Sequence, residues 1–80
     1  MYTLEAARRE AELNKEIPML EAQLAHLINR RIEIQGKETA NAEYKRKLLA
    51  RYRLEIKALT EHISNSKTEL WGLHELRIAK

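Results

Sequence analysis

QGKET, residues 35–39, separates two long stretches of helical apolar periodicity in an 80-residue chain. Whether these five residues are a turn or one more stretch of helix decides the fold. Before them, Leu13, Ile17, Leu20, Leu24, Leu27 and Ile34 recur at alternating steps of four and three, with Arg31 the one break. Traced back, the same track meets Glu10 and Ala6. After them, Ala42, Lys45, Leu49, Tyr52, Ile56, Leu59, Ile63, Ser66, Leu70 and Leu73 keep the same beat, with Lys45 and Ser66 as polar breaks. Alternating threes and fours stack side chains on one face of a helix; a strand would need a period of two.

The turn reading has its own chemistry. Gly36 suits the left-handed position just past a helix C-terminus, and Arg30 and Arg31 in the last turn favour the negative end of the helix dipole. Thr39 or Asn41 can cap the helix that follows. So short a connection makes the two helices antiparallel neighbours. The expected fold is therefore all-α. It is a long antiparallel helical hairpin, coiled-coil-like, with a short C-terminal third helix or helix extension, all within a single helical domain over residues 1–80.

Two interruptions set the details. Pro18 lacks a backbone donor and crowds the preceding turn unless it opens a helix. The track stays in phase through Leu13, Ile17 and Leu20, which favours one helix over about residues 3–35, kinked near Pro18 and roughly 50 Å long. In SNSKTEL, residues 64–70, Ser66 and Glu69 have the spacing of a capping box. That spacing divides helix 2, about 40–64, from a C-terminal helical segment at about 66–79. The track runs in phase here too, so a continuous helix fits equally well.

Composition narrows the function classes. The chain has no Cys, which removes disulfides, thiol chemistry and zinc–thiolate sites. The N-terminal MYTLEAARREAEL has no apolar signal-peptide core, and no apolar run approaches the roughly 18 residues of a membrane span. A cytoplasmic protein with no membrane partner is expected. No P-loop, G-x-G-x-x-G, G-x-S-x-G or H-E-x-x-H motif is present. His26, His62 and His74 have no His or Cys at i+3 or i+4, and read as surface or flank residues. No catalytic residue, cofactor or metal is expected.

Charge is uneven. Residues 1–29 carry three basic and five acidic side chains, residues 30–53 carry eight and three, and residues 54–80 carry four of each. The net charge of +3 is thus a basic patch centred on YKRKLLARYR, residues 44–53. Lys45, Arg46, Lys47, Arg51 and Arg53, with Tyr44 and Tyr52 between them, can meet phosphates and stack bases, or steer an acidic protein surface. Tyr52 lies on the apolar track, which argues for burial over stacking.

Apolar surface is in surplus. Leu4, Ala7, Ala11, Ala25, Ile28 and Ile32 form a second stripe beside the main one on helix 1. A helix with two stripes expects two neighbours, and a hairpin supplies one. In LWGLHEL, residues 70–76, Leu70 and Leu73 stay on track while Trp71 and Leu76 point elsewhere, as does Ile78. Such a segment folds back as a third helix, packs against a second copy, or docks on another protein. The expected partner-binding residues are Trp71, Leu73, Leu76 and Ile78, with Lys45, Arg46, Lys47, Arg51 and Arg53. The expected function is a non-enzymatic helical binding protein that docks on a larger protein or complex. It would be an adaptor or inhibitor, such as a small phage-type modulator of a host machine. The alternatives are a nucleic-acid-binding protein using residues 44–53 and a structural homo-oligomeric coiled coil.

Overall fold

The computed structural model describes residues 2–38 and 41–78. It consists of two α-helices, α1 (Leu4–Gly36) and α2 (Ala42–Ile78), packed along each other as a rod of 62 × 15 × 15 Å. The chain is an all-α helical hairpin.

The seam follows the two heptad tracks. Leu13, Ile17 and Ile63 are its buried hydrophobic residues among those described, Leu13 fully so. From Ala6 to Ile34, every track position on α1 is at least half-buried; on α2 the same holds from Lys45 to Leu73. The polar breaks obey the geometry too. Glu10 and Ser66 are buried, and Arg31 and Lys45 are half-buried. Phase along the helix outranks side-chain polarity in deciding what faces the partner helix.

Cross-helix side-chain contacts mark the register. The Arg9 guanidinium grips Glu69 with two hydrogen bonds, the second (Nη2 to Oε1) at 3.1 Å. His62 Nε2 lies 3.5 Å from Glu16 Oε1. Moving seven residues up α1 moves seven down α2, as antiparallel helices require. On the opposite side of the seam, Lys67 lies 3.8 Å from Glu21 and Arg77 lies 3.3 Å from Glu10.

The helix ends are closed by side chains. Thr3 Oγ1 accepts from the Ala6 N–H at 3.1 Å and starts α1. Asn41 Oδ1 accepts from the Tyr44 N–H at 2.9 Å and starts α2. The alternative cap, Thr39, lies outside the described residues. Gly36 departs from expectation: it does not adopt a positive φ and is the last residue of α1. The left-handed cap is replaced by a lysine reaching across the turn. Lys45 Nζ donates to the carbonyls of Gln35 at 3.0 Å and Lys37 at 2.7 Å, while the Lys37 N–H donates to Ile34 at 3.3 Å. An ammonium serving the exposed carbonyls does the work of a left-handed glycine. Nor do Arg30 and Arg31 serve the dipole from the last turn, because α1 runs on to Gly36 and its last turn has no basic residue.

Pro18 lies within α1 and is exposed. The Ser66–Glu69 spacing starts no new helix, since α2 runs unbroken to Ile78. Two local facts account for this. Ser66 is buried in the seam, where a cap residue would have to leave the helix. The Thr68 hydroxyl donates back to the Ser64 carbonyl at 3.0 Å, a bond compatible with continued helix. The C-terminal segment is therefore an extension of α2, with no third helix folded back.

Candidate partner-binding surface

With no third helix, the second stripe on α1 stays largely uncovered. Leu4 is 69% and Ile32 56% exposed, Ala11 and Ala25 are exposed, and Ala7 and Ile28 are half-buried. On α2, Trp71 is 65% and Ile78 67% exposed. Helical phase puts Trp71 and Ile78 on the same side of the hairpin as the α1 stripe, and the antiparallel register brings Leu4 to the same end as Ile78. Leu76 is exposed but faces the opposite side, and Leu73 is half-buried in the seam. The four apolar site residues thus divide three ways. Trp71 and Ile78 share a surface, Leu76 stands apart, and Leu73 chiefly serves the hairpin.

Between the helices on the Trp71 side runs an open groove. Its middle, about 490 Å³, has Leu24 and Ile63 toward the seam and Ala25, Ile28, Thr60 and Ser64 along its edges. The Glu21–Lys67 pair crosses it. Beyond that pair it continues between Asn14 and Leu70 to Trp71, whose ring lies 6.0 Å from that of His74. Small side chains, not missing ones, make the groove. Along its edges Ala25, Thr60 and Ser64 stand where larger side chains would fill the space.

The basic residues divide as well. Lys45 is occupied at the turn. Lys47 lies 3.7 Å from Glu43, and Arg51 is 3.3 Å from Glu55, each within one turn of its own helix. Arg46 and Arg53 make no ion pair among the described residues and are exposed. Arg30 sits beside the Tyr52 hydroxyl and Glu33, which hold its pKa above the usual value. Tyr52 is half-buried and Tyr44 exposed, so the two rings do not form a matched stacking pair.

Two features of the hairpin, one on each side of the seam, escape a reading by charge alone. The cross-helix pairs Arg9–Glu69 and Glu16–His62 occupy corresponding flank positions of the two heptads, positions that face each other once the helices run antiparallel. Lys57 lies one helical turn beyond Arg53 on the groove side. Helical phase applied outward from the tracks identifies both. Among the described residues no three of His, Asp or Glu come together as a metal site, and no helix is long and apolar enough to cross a membrane. Compared with known proteins, the chain matches no family model, no curated protein and no solved structure.

Proposed function

We propose that this chain is a non-enzymatic helical binding protein that acts by docking on a larger protein or complex, as an adaptor or inhibitor. One observation carries the reading. The hairpin closes its own seam and still leaves Leu4, Ile32, Trp71 and Ile78 exposed on one side. Aromatic residues held on a rigid helix are strong interface anchors, because they bury a large area at little cost in conformational freedom.

The test compares the tagged chain with Trp71→Ala. The intact chain should copurify with one defined protein, identified by mass spectrometry. The variant should bind that protein about 30-fold more weakly, equivalent to about 2 kcal/mol, and keep its melting temperature. Trp71 fluorescence should be red-shifted in the free chain and move blue in the complex. A variant that melts earlier and loses binding only in proportion would make Trp71 a structural residue and remove this support.

Nucleic-acid binding through residues 44–53 has weaker support. Of its five cations, Lys45 is taken up at the turn and Lys47 and Arg51 are paired with neighbouring glutamates. A steep loss of DNA or RNA binding with added salt would revive that reading.

A further inference from the structure

The groove beside Trp71 has a charge pattern that selects among occupants. On its α1 side the residues are apolar or neutral: Ala25, Ile28, Ile32 and Gln35. Its α2 edge is Thr60, Ser64 and Lys67; toward the turn, on the same face of α2, Lys57, Arg53 and Arg46 continue as a single row at steps of four and seven. None of the three has an ion-pair partner among the described residues. Three acids on this side are already engaged, while Glu61, one turn beyond Lys57, makes no ion pair among the described residues. Glu21 is with Lys67, Glu43 with Lys47, and Glu10 with Arg77 and the Tyr2 hydroxyl, which donates to it at 2.7 Å. The groove is apolar or neutral apart from the Glu21–Lys67 pair, and on the same face, toward the turn, it runs into a row of three cations that make no ion pair among the described residues.

We propose that this groove receives an acidic amphipathic helix from the partner. Its apolar face would lie along Ala25 and Ile28, and its carboxylates would meet Arg46, Arg53 and Lys57. The shape fits: a helix is about 10–12 Å across, and two helices side by side offer a third a continuous trough. The length fits as well. From Arg46 to Trp71 is 25 residues of α2, roughly 38 Å, which a partner helix of about 26 residues would span.

Two other occupants match less well. A second copy sets its own Arg46, Arg53 and Lys57 against this face, with Glu10, Glu21 and Glu43 already paired and only Glu61 and Glu75 beside it making no ion pair among the described residues. Nucleic acid has no use for the apolar α1 side. Leu4, Ile32, Trp71 and Ile78 protrude on this same side, so an anionic membrane surface is the occupant that the vesicle arm of the test has to exclude.

The probe is a synthetic helix of about 26 residues with Leu and Ala on one face and Glu on the other, labelled for fluorescence anisotropy. Its control carries Lys at every Glu position. The intact protein should bind the Glu helix at least tenfold more tightly than the Lys helix, with a blue shift of Trp71. Ala25→Arg blocks the groove at an exposed position, and Arg53→Glu with Lys57→Glu reverses the row; each should weaken binding at least tenfold. Ala58→Glu, exposed on the opposite side, should change nothing. Circular dichroism melts of each variant identify any that fails to fold, and Ala25→Gln then serves as the milder block.

Equal binding of the Glu and Lys helices overturns the proposal. So does a stable dimer in light scattering that Ala25→Arg dissociates, or preferential binding to duplex DNA or to phosphatidylserine vesicles that Ala25→Arg abolishes. The inference rests on the binding-protein reading, yet the two fail separately. A chain that ignores the Glu helix but holds a native partner through Trp71 overturns the groove proposal alone. A chain that takes the Glu helix in the groove but copurifies with no protein supports the groove and removes the reading beneath it.

Discussion

Arg31 occupies a seam position that the heptad reserves for an apolar side chain. It is half-buried, and its Nε is buried without a hydrogen-bond partner. An unsatisfied buried donor costs free energy that an apolar replacement recovers. Arg31→Leu should therefore stabilise the free hairpin by about 1 kcal/mol, or roughly 5 °C in a chain of this size. A thermal melt followed by circular dichroism measures it, and an unchanged or lower midpoint would mean that the guanidinium finds a partner in solution. The polar seam residues also mark where reading the sequence stopped short. Arg31, Lys45, Glu10 and Ser66 look like interruptions when apolar residues are counted, and the structure keeps all four on the seam. Helical phase is set by the whole run of neighbours, so single polar residues are carried into place. What each then does depends on atoms far away in sequence. Lys45 reaches Gln35 and Lys37, and Glu10 reaches Tyr2 and Arg77. No local pattern announces those contacts.

Each helix contains one residue that opposes it. Pro18 is inside α1 and Gly72 inside α2, both on exposed positions. A Cβ added at Gly72 would meet nothing within 4 Å. Gly72→Ala should accordingly stabilise α2 by about 1 kcal/mol, and Pro18→Ala should stabilise α1 by up to about 3 kcal/mol. Urea titrations of both variants measure these gains. If Gly72→Ala had no effect, the last turns of α2 would not be helical in the free protein. At this scale the sequence is most legible, because long in-phase tracks define both helices and QGKET divides them. The boundary near Ser66 was ambiguous for a physical reason. A capping-box spacing and an in-phase track compete there, and burial of Ser66 against α1 decides for the track. The turn was read with the wrong device, since Gly36 stood ready for a left-handed cap and Lys45 closes the helix end instead. The groove was only half legible. The α1 stripe was visible, but which part of α2 lies beside it follows from register, and register joins residues as far apart as Arg9 and Glu69, 60 positions apart in sequence.

Across the whole rod, the open end is held by side-chain bonds sensitive to pH in opposite directions. The hydrogen bonds from Arg9 hold the Glu69 carboxyl below its ordinary value of 4.5. A depressed carboxyl pKa contributes stability that is present above the ordinary value and lost as pH falls through the folded-state value. At the same end, the hydrogen bond to the Glu10 carboxylate raises the Tyr2 hydroxyl above its ordinary 10.0. A raised pKa contributes stability that is present below the ordinary value and lost as pH rises through the folded-state value. Both contributions are intact between these limits, so neither group should give the melting temperature a slope near neutrality. Both groups are solvent-exposed, and the effects should be small and separable only by comparison of variants. Glu69→Gln should melt below the intact chain at neutral pH, and the two curves should converge as pH drops below 4.5. Tyr2→Phe should behave as the mirror image, with convergence only above pH 10.0. Melts of the three proteins across the pH range check both signs at once. Curves that stay parallel through the acid range would show that the Arg9–Glu69 pair does not hold the open end, and the register would then rest on the apolar seam alone.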